Sequence, residues 1–130
     1  PRTWKGDVSM ALEVEAKVAE LLTSVLAESH RNYNHNQEVV YPYMTYQTEL
    51  EMAGEDLEAI NLDCQLFDRS TSDKKLLEVE YKLKSAIDKV NLLEDKYLMM
   101  VRFVRSGAVS TNDDNVVRRD LSFRIKIYRR

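Results

Sequence analysis

Between residues 121 and 128 the chain alternates without a break, Leu121, Phe123, Ile125 and Ile127 against Ser122, Arg124, Lys126 and Tyr128. A β-strand, with its two-residue side-chain period, sorts these into one apolar and one polar face. Such a strand needs paired neighbours and a cover for its apolar face, so the rest of the chain has to supply both.

Three further stretches read as strands. In EVVYPYMTYQTELEM, alternation sets Met44, Tyr46, Leu50 and Met52 against Thr45, Gln47, Glu49 and Glu51. Pro42, which lacks a backbone N–H, is expected at the start of this strand or on a sheet edge. Around 59–67, Ile60, Leu62, Cys64 and Leu66 share a face, and the short acidic link 53–58 makes the two a hairpin. The run KYLMMVRFVRS is partly apolar on both faces, which suits a central or covered strand. A polar loop, residues 106–115, then leads into the last strand.

The cover comes from two helical stripes. Ala11, Val14, Val18, Leu21, Leu22 and Val25 recur at three- and four-residue steps, with Ser9 placed to cap the first turn. HRNYNHN, with three asparagines, ends that helix. After the hydroxyl-rich DRSTS, a second stripe runs through Leu76, Val79, Leu83, Ile87 and Val90 and is expected to end near Asn91. Residues 1–9 read as an N-terminal arm and 10–130 as a single domain. The order is α-β-β-α-β-β. It predicts an α+β fold, a four-stranded antiparallel sheet with two helices packed on one face, which buries every stripe at once.

The residue inventory narrows the chemistry. At 130 residues with 44% hydrophobic side chains, the chain supports one well-packed core. No apolar run reaches the ~18 residues of a membrane span, and a lone cysteine, Cys64, forms no internal disulfide. Folding in a reducing cytoplasm is the expectation. His30 and His35 flank a predicted helix end, and no CxxC or HExxH accompanies them, so no metal site is expected. Three scattered glycines cannot write a phosphate-binding loop. No catalytic site, cofactor or enzyme activity is expected.

Charge is unevenly spread. Residues 1–67 carry four basic and twelve acidic side chains, net −8, while 68–130 carry fifteen and ten, net +5, together the −3 of the whole chain. Such polarity can steer one copy's acidic surface to the basic surface of the next, or the charges can intermix on folding. The candidate contact residues are Trp4 in the arm, Glu55 and Asp56 in the acidic turn, Asp113 and Asp114 in the long loop, and Arg118, Arg119, Arg124 and Lys126 along the last strand. The basic strand could also meet nucleic-acid phosphates, although the acidic overall balance and the want of interleaved aromatics, Tyr128 apart, argue against that.

The arrangement resembles the tail terminator (tail completion) proteins of long-tailed bacteriophages over roughly residues 10–130. The resemblance rests on the helix ALEVEAKVAELLTSVL, the strand opening YPYMTYQTE, NLDCQLFDRSTSDKK feeding KLLEVEYKLKSAIDKV, and the arginine-flanked ending NVVRRDLSFRIKIYRR. It implies a structural virion protein of the tail or neck, assembled in the host cytoplasm. Such proteins form a ring, commonly of six subunits, that caps the head-proximal end of the tail tube, stops its growth and presents the surface for head joining. The implied partners are the chain itself, the tail tube protein and a head-closure or connector protein, with no membrane and with DNA contacted at most through the ring lumen. Other readings are a different neck component, such as a head-closure or head–tail joining protein, or a small α+β module that binds nucleic acid or a ligand.

Overall fold

The computed structural model describes residues 4–54 and 56–130, and the side chains of all of these except 4–9. The elements run α1 (Trp4–Val25), β1 (Ser29–Arg31), β2 (Tyr43–Ala53), β3 (Leu57–Arg69), α2 (Lys74–Ile87), β4 (Asn91–Leu93), β5 (Tyr97–Val109) and β6 (Val116–Arg129).

The sheet has six strands in the order β1-β2-β3-β6-β5-β4, not the four expected. Its inner four strands are the predicted ones and pair antiparallel throughout. The extra strands, β1 and β4, are three residues long and lie at the two edges. β1 runs parallel to β2, pairing Ser29 with Met44, so the sheet is mixed rather than antiparallel. Asn32 turns the chain out of β1 with a φ of 70°, a left-handed conformation that asparagine tolerates well. Met44 N–H donates to Glu28 O and Asn32 N–H to Tyr46 O, and these bonds fix β1 on β2.

α1 starts at Trp4, so Ser9 lies inside the helix rather than at its cap. Met10, Val14, Val18 and Leu22, four residues apart, form its buried edge. α2 buries Leu76, Glu80, Leu83 and Ile87 and stops just short of the expected Asn91. Ahead of it, Lys74 N–H donates to Ser72 Oγ, and Ser72 N–H donates to Ser70 Oγ. Both helices pack on the core built from Met44, Tyr46, Leu62, Cys64, Leu66, Leu121, Phe123, Ile125 and Ile127, with Tyr97, Met99 and Val101 of β5. The ring of Phe123 meets Phe103 edge-on at 5.6 Å, and Lys84 Nζ of α2 sits 4.4 Å from the Phe103 centroid.

Two register shifts, at Leu50/Met52 near the end of β2 and Phe103/Arg105 in the middle of β5, interrupt the long strands. The first overturns the expected shared face of Leu50 and Met52. Leu50 faces Ile60 on the core side, whereas Met52 faces Ala59, whose next neighbour Lys126 lies on the opposite side. Both are exposed.

Candidate assembly surface

Strand alternation gives the sheet a second face that neither helix covers. Cross-strand partners there line up in rows: Thr45, Gln65 and Asp120; Gln47, Asp63, Ser122 and Arg105; Glu49, Asn61, Arg124 and Arg102. The middle of this face satisfies its own hydrogen bonds. Thr45 Oγ1 donates to Gln65 Oε1 at 2.7 Å, Gln65 Nε2 to Gln47 Oε1 at 2.8 Å, and Ser122 Oγ to Asp63 Oδ1 at 2.7 Å. Gln47, Asp63, Gln65 and Ser122, together with Arg105 and Asp120, line a shallow depression of about 480 Å³. The surface is polar, self-paired and open, which suits contact with another polar surface more than enclosure of an apolar ligand.

The rows are electrically graded. Because β2 and β3 come from the first half of the chain and β6 and β5 from the second, the sequence asymmetry becomes a lateral one. Glu49, Glu51 and Asp63 lie toward the β2 side, and Arg102, Arg105, Arg124 and Lys126 toward the β5 side. Arg124 stands directly opposite Arg102, a like-charge pairing that costs stability unless an anion relieves it. Arg124 Nη2 reaches Glu51 Oε1 at 3.5 Å, while Arg102 Nη1 donates only to neutral oxygens, Val101 O and Asn91 Oδ1. Among the described residues, Arg105, Lys126 and Glu49 form no ion pair.

The predicted contact residues separate into groups. Arg119 is not a surface contact: it projects to the helix side and pairs with Glu80 at 3.0 Å and Asp73 at 3.3 Å. Arg118 donates from Nε and Nη2 to both carboxylate oxygens of Asp120, two residues on, and lies 5.4 Å over the Phe67 ring. Arg124 and Lys126 share the helix-free face. Asp113 and Asp114 are exposed at the β5–β6 turn, where Asp113 Oδ1 accepts the Asn115 N–H. The turn itself spans only 110–115, because strand pairing continues to Val109. Asp56 is exposed at the opposite end of the sheet, and its carbonyl accepts the Arg129 N–H. Glu55 and the Trp4 side chain lie outside the described residues. Glu49, Arg102 and Arg105 join this face through cross-strand neighbours distant in sequence, which local periodicity does not reveal.

Other chemistry is sparse. Cys64 is fully buried, and burial pushes its thiol up to about 12, with Asp63 and Asp120 adding to the shift. A thiol held neutral in this way is a packing group rather than a nucleophile. His30 Nε2 lies 3.4 Å from Glu28 Oε1, and His35 packs on Tyr33 with ring centroids 3.9 Å apart. Among the described residues no three His, Cys, Asp or Glu side chains gather to hold a metal, and no helix is long and apolar enough to cross a membrane.

No protein-family model matches the chain, and no curated protein resembles it in sequence. Its fold does recur among solved structures. A chain from the virion of a native gene transfer agent (GTA) particle superposes with a TM-score of 0.68 over 82% of this chain and 84% of that one, at 12% identity.

Proposed function

We propose that this chain is a structural component of a phage-like particle that works by binding other protein subunits, without turnover. The observation that carries this reading is the fold shared with a chain of a gene transfer agent virion over more than four-fifths of both. The surface supports it. A graded, open, polar face and exposed strand edges are suited to docking on proteins. Within such a particle, the resemblance to tail terminators favours a ring, of about six copies, that caps the tail tube and presents the head-joining surface. A heterologous ring needs two different, complementary sides on each copy, and the lateral charge grading provides them.

The test is native mass measurement over a rising protein concentration, with electron microscopy of the same samples. Closed rings of one defined copy number, which also seat on the ends of tail tubes, are the expected result. A chain that stays monomeric at high concentration and ignores tube ends would sink the reading. A salt-sensitive complex with double-stranded DNA by the isolated monomer would instead favour the nucleic-acid module.

A further inference from the structure

β2 and β5, the long strands next to the two edges, are each covered on their outer side along only part of their length. β1 covers Met44–Tyr46 of β2, and among the described residues nothing pairs with Thr48–Ala53 on that side. At the other edge β4 covers Leu98–Met100 of β5, and Val101 and Phe103 are met by Val90, Lys89 and the Asp88 side chain. Among the described residues nothing pairs with Val104–Val109 on that side. The pairing alternation shows which groups point outward. Met44 and Tyr46 bond toward β1, so Thr48 and Leu50 direct their N–H and C=O groups to that same outer side, away from β3. Past the register shift in β5, the same alternation turns out those of Ser106 and Ala108.

We infer that the open stretch of β2 in one copy adds to the open stretch of β5 in the next, joining the two sheets. The inference rests on the self-assembling reading above and specifies its interface. Four observations converge on a second copy as the partner. Unpaired ladders with apolar side chains are templates for strand addition, and here Leu50 is 58% exposed, Met52 44% and Val104 54%. Charge is complementary, since Glu49 lies within one stretch and Arg105 within the other, and among the described residues neither forms an ion pair. Direction also agrees: β2 and β5 run oppositely within the sheet, so copies related by a rotation pair antiparallel. Finally, the two stretches sit at opposite ends of the sheet. Leu50 is level with Ile125 and Ser106 with Leu121, four residues apart along β6, an axial step of roughly 13 Å. A sheet that closes on itself requires a stagger of this kind.

The test uses a short bismaleimide on Leu50→Cys and Ser106→Cys proteins, with buried Cys64 as an unreactive background. The expected result is that neither variant cross-links alone, that an equimolar mixture gives dimers, and that the double variant gives a ladder ending at the ring size. Cross-linking of Leu50→Cys with itself would overturn the inference in favour of a two-fold contact. Rings that form normally yet never cross-link in the mixture would overturn this interface while leaving the ring reading intact, whereas absence of any oligomer would overturn both. A second arm pairs E49K with R105E. Each alone should assemble about tenfold more weakly, and mixing them should restore assembly, because every junction in an alternating ring is then complementary. Failure of the mixture to recover, with both monomers folded, would also overturn it.

Discussion

Arg119 Nε lies 3.0 Å from Glu80 Oε1, with the arginine side chain 14% and the glutamate 11% exposed. This pair joins the second residue of the RRD segment of β6 to the buried edge of α2 across the helix–sheet seam. Nη1 of the same guanidinium reaches Asp73, just ahead of the helix. A basic residue that alternation places on the apolar side is thus accommodated by carboxylates supplied from the helix.

Removing one member should cost more than removing both. Arg119→Leu or Glu80→Leu alone is expected to lower unfolding free energy by roughly 2–3 kcal/mol, because the remaining charge is left partly buried without its partner. The double Leu variant should recover much of that loss. Urea midpoints of the three variants check this, and additive losses would show that the two groups do not act as a pair.

The fold should weaken under alkali. Cys64 has an ordinary thiol value of 9.0 that burial raises to about 12, so the folded state keeps a proton that the unfolded chain releases. That preference is fully present below pH 9 and is lost as pH climbs from 9 toward 12. Urea midpoints should therefore fall across this range, and Cys64→Ala, though less stable throughout, should fall less steeply. At neutral pH a thiol reagent should label Cys64 only at the rate of unfolding. Rapid labelling of the native protein would contradict the buried placement.

Asp88 closes part of the β5 edge by accepting the Phe103 N–H at 2.8 Å. Asp88→Ala should destabilise by about 1–2 kcal/mol and accelerate hydrogen exchange at Phe103, whereas Asp88→Asn, which keeps an acceptor oxygen, should largely retain protection. Equal exchange in the two variants would mean that this bond contributes nothing.

Reversing Arg124 and Lys126 to Glu together should leave the fold within about 1 kcal/mol of the parent, because both sit on the solvent face and the Arg124–Glu51 pair is well exposed. Assembly should weaken by at least about tenfold. Thermal denaturation and sedimentation on the same samples separate the two effects. Unchanged assembly would remove charge complementarity of this face from the account.

Much of the architecture is legible in the sequence, because it is written in local periods. The Leu121–Ile127 alternation, the Ile60–Leu66 face and the Leu76–Ile87 stripe each occupy the core face assigned to them. Their side chains alone contain that information. β1 and β4 are not legible in this way: three residues are too few to display a period, and His30 and Leu92 become strand residues only because β2 and β5 offer them a free ladder. The register shifts are equally hidden, since a bulge is a mismatch between two strands and belongs to neither sequence by itself.

Composition and periodicity therefore determine which residues face inward, how many long elements form and how charge divides between the chain's halves. Tertiary structure alone decides that those halves become opposite sides of one sheet, that Arg119 is neutralised inside while Arg105 is not, and which stretches of edge stay unpaired. The physical reason is range. Burial of a stripe depends on neighbours three or four residues away, whereas a strand edge is open or closed according to what the rest of the chain brings beside it.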